Sequence, residues 1–200
     1  MVSESVYREA RFADEHVDEQ FTALGGKGPY RNTRFEACTF EGCRFEKTTF
    51  ENISFIDCRL LECDLAMAEV EQCVFNGVLF EQCRLRSIDW SRINCAILNW
   101  EFHGCVLDYG HFEGMKLKQS VFTKSSIVEA SFDRADLRET DFSGTVLTRT
   151  TFADTDLRKA DFRDSTDLAL DLRNCRTEEL RLRIGDAVGT LKAHGIKVSP

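Results

Sequence analysis

The sequence predicts an all-β solenoid, a stack of coils built from short parallel strands. Three observations predict it. Large apolar residues recur at every fifth position over most of the chain, and a small residue stands two positions before most of them. Five is neither the 3.6-residue period of a helix nor the two-residue period of an ordinary strand, so the backbone repeats one turn-like unit.

The first register of large residues runs Tyr30, Phe35, Phe40, Phe45, Phe50, Phe55, Leu60, Leu65, Val70, Phe75, Phe80, Leu85 and Trp90. Its small column holds Cys38, Cys43, Thr48, Cys58, Cys63, Ala68, Cys73 and Cys83. Calling the large position i, positions i−2 and i point inward, and i−1, i+1 and i+2 point out. Stacked coils then hydrogen-bond as parallel strands about 4.8 Å apart. A second register starts at Ile97 and continues through Phe102, Leu107, Phe112, Leu117 and Phe122 to Phe162. There Phe alternates with Leu or Ile, which fits four faces per coil. Residues twenty apart then stand one above another, with Phe112, Phe132 and Phe152 on one face and Phe122, Phe142 and Phe162 on the opposite one.

Three places depart from the repeat. Before it, Phe12 and Val17 read as a short cap, and Gly25-Gly26-Lys27-Gly28-Pro29 as a turn whose flanks Glu19–Ala23 and Tyr30–Thr33 form either a hairpin or a loop. Within Ser91–Ala96 the phase slips by two residues, which calls for a bulge or kink beside Trp90 and Trp100, the two tryptophans of the chain. After Asp171 the motif degrades, although Leu180-Arg-Leu182 can close a final coil. Ile184, Ala187, Val188 and Leu191 then follow at helical spacing, His194-Gly195 ends that helix, and Ile196-Lys-Val198 reads as a short strand. The helix either caps the rod or joins two rods through a self-complementary contact. The organisation expected is a cap and loop over 1–29, coils in the first register over 30–94, coils in the second over 95–182, and a helix with a short strand over 183–200.

Composition narrows the function. The net charge of −8 argues against binding nucleic acid by charge. No apolar run approaches the roughly 18–20 residues of a membrane span, and the N-terminus has no apolar signal core. Nine cysteines invite a disulfide or metal reading, but they follow the five-residue rhythm, form no CxxC pair, and have no ligand-like cluster with the four histidines. They read as small buried hydrophobes, which fits a reducing, cytoplasmic location. No catalytic motif is present, and a filled rod offers no cleft, so neither an enzyme nor a cofactor is expected.

Segments such as Ala135-Asp-Leu-Arg-Glu139 and Ala160-Asp-Phe-Arg-Asp164 match the motif A(D/N)LXX. Over roughly residues 30 to 172 the chain resembles the pentapeptide-repeat proteins. That resemblance implies a right-handed quadrilateral parallel β-helix with a short C-terminal α-helix. Two registers, a Trp-bearing centre and a terminal helix look like the topoisomerase-protecting branch, which includes quinolone-resistance proteins and immunity proteins of albicidin and microcin producers. The long mid-rod loops of some quinolone-resistance members are missing here.

The branch resemblance implies a partner, DNA gyrase or topoisomerase IV, with the rod acting as a DNA mimic. It also implies a homodimer through the C-terminal helix, for which Ile184, Ala187, Val188, Leu191, Ile196 and Val198 are the candidate residues. Candidate gyrase contacts are outward carboxylates. Glu36, Glu41, Glu46 and Glu51 occupy i+1 on four successive faces, with Glu71 above Glu51, while Asp136 and Asp156 stack, as do Asp141 and Asp161. Arg138 and Arg158 stand beside Asp136 and Asp156, and such surface pairing contributes little. The charge pattern therefore allows mimicry without demanding it. The alternative is a structural or general protein-interaction solenoid with no topoisomerase partner.

Overall fold

The computed structural model describes residues 15–26, 28–94, 99–172, 174–193 and 195–198. The expectations for Phe12, Cys95, Ile97 and His194 lie outside the described residues. In chain order the elements are β1 (Glu15–Val17), β2 (Gln20–Thr22), β3 (Tyr30–Arg31), β4 (Arg34–Glu36), β5 (Thr39–Glu41), β6 (Thr49–Glu51), β7 (Ser54–Ile56), β8 (Arg59–Leu61), β9 (Glu69–Glu71), β10 (Val74–Asn76), β11 (Leu79–Glu81), β12 (Glu101–His103) and α1 (Ile184–Ala193).

All pairing between strands is parallel, and it sorts them onto the sides of a four-sided coil. The first face stacks β1, β4, β7 and β10; the second stacks β2, β5, β8, β11 and β12; the fourth stacks β3, β6 and β9. The third face is a ladder of single bridges through Gly25, Arg44, Asp64, Arg84, Val106, Ser126, Val146 and Thr166. Beyond β12 every face continues as single bridges, such as Lys116–Asp136–Asp156–Arg176 on the first face and Val121–Asp141–Asp161–Arg181 on the second. The result is a right-handed quadrilateral β-helix with one short C-terminal α-helix.

The stacking starts earlier than Tyr30. β1 pairs with β4 and β2 with β5, so His16 lies opposite Phe35 and Phe21 opposite Phe40. The flanks of the glycine turn are therefore strands on the second and fourth faces, with Gly25 on the third between them, and not a hairpin. At the phase slip Leu79 lies opposite Glu101, against Arg59 opposite Leu79 one coil earlier. The ordinary register still holds at Asn94, whose amide donates to Cys73 O at 2.8 Å, so the two additional residues come between Asn94 and Glu101; before them the chain makes a 3-10 turn over Trp90–Arg92 that Asp89 caps by accepting from the Ser91 amide.

The core is a filled column. Phe112 stacks on Phe132 at 4.6 Å and Phe122 on Phe142 at 5.0 Å, while Phe122 meets Phe132 edge-on across the axis at 5.6 Å. These offset-stacked and T-shaped geometries are the two that ring quadrupoles favour. No coil has a core of its own, so each depends on its neighbours.

The corners explain the outward i+2 column. Residue after residue there has positive φ, as in Lys47, Asn52, Glu62, Lys124, Glu129 and Glu139. None of the corner residues with positive φ is β-branched, because Val, Ile or Thr would clash in the left-handed region. Many corners in the second register are closed by a bond from the amide three residues on to the carbonyl of the large residue, such as Thr140 N to Leu137 O at 3.2 Å. With positive φ at the third residue these are type II turns.

The small column does more than fill corners. Corners at Phe35, Phe40, Leu60 and Phe80 have no such closing bond, and a thiol from the next coil donates to the carbonyl instead. Cys58 reaches Phe35 O at 3.5 Å, Cys63 reaches Phe40 O at 3.4 Å, Cys83 reaches Leu60 O at 3.2 Å and Cys105 reaches Phe80 O at 3.4 Å. Thr155 adds a second donor to Phe132 O at 3.0 Å, beside the Ala135 amide that closes that corner. A buried carbonyl left without a donor is costly, so hydroxyl and thiol side chains suit this column. The described cysteines form no disulfide and all but the half-buried Cys175 are buried. Burial pushes the Cys58 thiol up to about 12 and that of Cys73 to about 11, which leaves them unreactive.

Candidate interaction surfaces

The expected acidic residues fall on every side of the rod. Glu36 ends β4 on the first face, Glu41 ends β5 on the second, Glu46 follows on the third, and Glu51 ends β6 on the fourth. These four wind around the helix and do not share a surface. The stacked pairs do form: Glu51 lies in register with Glu71, Asp136 with Asp156, and Asp141 with Asp161.

Most of these carboxylates are neutralised on the rod itself. Glu36 pairs with Arg34 at 2.6 Å, Glu51 with Arg31 at 2.5 Å and Glu46 with Lys47 at 3.2 Å. Asp136 takes both arms of Arg138, Asp156 those of Arg158, and Asp161 those of Arg163. In each of these three pairs the hydrogen bond from the guanidinium holds the carboxyl below the usual aspartate range. Glu71 has Arg92 only at 4.0 Å.

Charge stands uncompensated elsewhere. Glu41 accepts a long bond from Gln20 at 3.4 Å, and Asp141 accepts the Ser143 amide at 2.8 Å. Neither has a cation within 4.0 Å among the described residues. On the second face Glu41 is joined by Glu81 and Glu101, with Glu62 at the corner that follows β8; the sequence reading missed these three. Glu62 and Glu81 likewise have no cation within 4.0 Å among the described residues, and Glu101 meets only His103, at 3.1 Å. The signal was present but scattered: Glu41 and Glu81 stand at i+1, Glu62 at i+2 and Glu101 at i−1, so no single repeat position reveals the cluster.

The C-terminal candidates divide. α1 buries Thr190, which is 3 % exposed, while Ile184 is 85 % and Leu191 40 % exposed. Ala187 and Val188 are half-buried between them. The apolar stripe therefore straddles the edge of the packed face and leaves both its ends outside. Gly195 follows with φ +76°, as a residue just past a helix should. Ile196–Val198 forms no strand, a correction to the expectation: no neighbouring strand pairs with it, and a strand without a partner has nothing to satisfy its amides. Ile196 is 49 % exposed and Val198 half-buried.

Among the described residues no group of histidine, cysteine and carboxylate side chains could hold a metal ion, and no helix is long and apolar enough to cross a membrane.

Comparison with known proteins places this architecture. The structure is similar to that of a trypsin-treated variant of QnrB1, described as a plasmid-mediated fluoroquinolone resistance protein. The TM-score is 0.65 and the identity 20 %, covering 92 % of this chain and 97 % of that one. A second trypsin-treated QnrB1 variant, with the same description, matches with a TM-score of 0.57 and 18 % identity over 92 % of this chain and all of that one. At these identities the likeness is one of fold. No curated protein matches the sequence. The family model for the pentapeptide repeat region matches residues 33–98 and 93–169, and the chain belongs to the pentapeptide-repeat family.

Proposed function

We propose that this rod binds DNA gyrase, and topoisomerase IV by the same surface, and protects the enzyme from topoisomerase-poisoning antibiotics. The observation that carries this reading is the four-sided rod itself, which resembles QnrB1 over nearly the whole of both chains. B-DNA is a rod with one negative charge per about 1.7 Å of axis, so a basic DNA-binding saddle accepts an acidic rod of similar width. On this reading the saddle meets the uncompensated carboxylates Glu41 and Glu81 of the second face and Glu62 at its corner. The Arg-paired Asp136, Asp156 and Asp161 carry little of the attraction. Two copies joined through Ile184 and Leu191 of α1 would reach roughly 75–80 Å at about 4.8 Å per coil.

The test is a gyrase supercoiling assay titrated with the full-length protein, with and without a quinolone. Rescue of supercoiling in the presence of drug is the expected result. Inhibition without rescue would make the rod a competitor of DNA that regulates gyrase. No effect on gyrase or topoisomerase IV would sink the proposal. The Arg–Asp pairing favours a second reading, a general protein-interaction solenoid without a topoisomerase partner. The oligomeric state separates the two: a dimer that Val188→Asp or Leu191→Asp dissolves supports the protector, and a stable monomer supports the general module.

A further inference from the structure

The first face of the C-terminal half carries an open groove of about 530 Å³. Four guanidiniums line it, those of Arg134, Arg138, Arg158 and Arg176, against three carboxylates, those of Asp136, Asp154 and Asp156. In a chain of net charge −8 this is a place where cations outnumber anions.

The two central carboxylates lie low and are occupied. The Asp136 side chain is 27 % and that of Asp156 16 % exposed. Arg138 donates Nε to Asp136 Oδ1 at 2.7 Å and Nη2 to Oδ2 at 2.6 Å; Arg158 donates to Asp156 in the same way at 2.8 and 2.7 Å. Each guanidinium spends one edge on its carboxylate, which fixes its plane, and keeps further N–H groups for a second acceptor. Asp156 Oδ2 is where the cations converge. Arg158 Nη2 lies 2.7 Å from it, Arg176 Nη1 3.7 Å and Arg138 Nε 3.9 Å. The Arg176 side chain is 70 % exposed and makes no hydrogen bond among the described residues. Three guanidiniums thus surround one carboxylate oxygen that hydrogen-bonds only one of them.

We propose that this groove binds a phosphoryl oxyanion, bridged by Arg138, Arg158 and Arg176 with Arg134 at the rim. A tetrahedral phosphate offers oxygens on several sides and suits forks that approach from different directions, whereas a planar carboxylate faces at most two. Asp154 at the rim opposes the charge, and Glu113 already holds Arg134 at 2.7 Å, so the affinity is modest. The phosphate can come from a free phosphate ester or from a nucleic-acid backbone. The site stands independently of the topoisomerase reading.

The experiment titrates the full-length protein with pyrophosphate, and separately with a short DNA duplex, at low salt by calorimetry and amide chemical shifts. Saturable pyrophosphate binding is expected, weakened roughly tenfold in the Arg138→Gln, Arg176→Gln double variant and by physiological salt. Binding of pyrophosphate alone identifies a free ester as the source, and binding of both identifies a backbone phosphate. Arg176→Gln alone disturbs no side-chain hydrogen bond among the described residues and serves as the folded control, with an unchanged melting temperature and weakened binding. Failure of both probes to saturate, or undiminished binding by the double variant, would overturn the proposal.

Discussion

The indole Nε1 of Trp100 donates to the carbonyl of Phe75 at 2.8 Å, from a small-column position that cysteine, serine or threonine holds in many other coils. Trp100 thereby does for the irregular coil what Cys83 does for Leu60. The same coil buries Trp90 completely, and its Nε1 has no partner among the described residues.

That contrast yields the first prediction. Trp100→Phe and Trp90→Phe remove similar volume, but only the first strips a donor from a buried carbonyl. Denaturant unfolding should find Trp100→Phe the more damaging by about 1–3 kcal/mol. Equal losses would mean that the Phe75 carbonyl finds another donor.

Core truncation tests the dependence of each coil on its neighbours. Phe142 is fully buried, stacked on Phe122 at 5.0 Å and on Phe162 at 4.7 Å. Phe142→Ala should cost about 3–5 kcal/mol by thermal or chemical melting.

The left-handed corners predict an inversion of ordinary strand preference. Lys124 is exposed with φ +54°. Lys124→Gly should be neutral or slightly stabilising, while Lys124→Val should lose about 1–2 kcal/mol. A β-branched residue tolerated there would contradict the corner geometry.

The aspartate–arginine pairs predict a pH dependence with a definite sign. Asp136, Asp156 and Asp161 have folded-state values below the ordinary 3.8, chiefly through hydrogen bonds from Arg138, Arg158 and Arg163. Their contribution is present in full above the unfolded value and is lost as pH falls below it through the lower folded values. Melting temperature measured from neutral pH downward should hold until the unfolded carboxyl range is reached and then fall, less steeply in Asp156→Asn.

The uncompensated carboxylates of the second face and its corner supply the functional prediction. Replacing Glu41, Glu62 and Glu81 together by Gln should abolish any effect on gyrase supercoiling and leave the melting temperature nearly unchanged, since none of the three has an ion-pair partner among the described residues. Replacing Glu36, Glu46 and Glu51 instead should leave the gyrase effect largely intact.

The coil, its four faces and its Phe stacks are legible in the residues alone, because a strict five-residue period admits few backbones and twenty-residue spacing places Phe112 beneath Phe132. The phase slip and the terminal helix are legible too, since each breaks or replaces that period locally. The first coil is hidden. Glu15 pairs with Arg34 while Tyr30 pairs with Phe50, so the coil is one residue short and His16 stands out of rhythm in a phenylalanine position. Which glutamates share a face, and that the cysteines cap carbonyls, emerge only from the packed rod. Both relations join residues of stacked coils, about twenty apart in the chain, and a one-dimensional pattern records their spacing but not what their side chains touch. The burial of α1 belongs with them: the helical period marks the stripe, but only the tertiary structure buries Thr190 and leaves Ile184 outside.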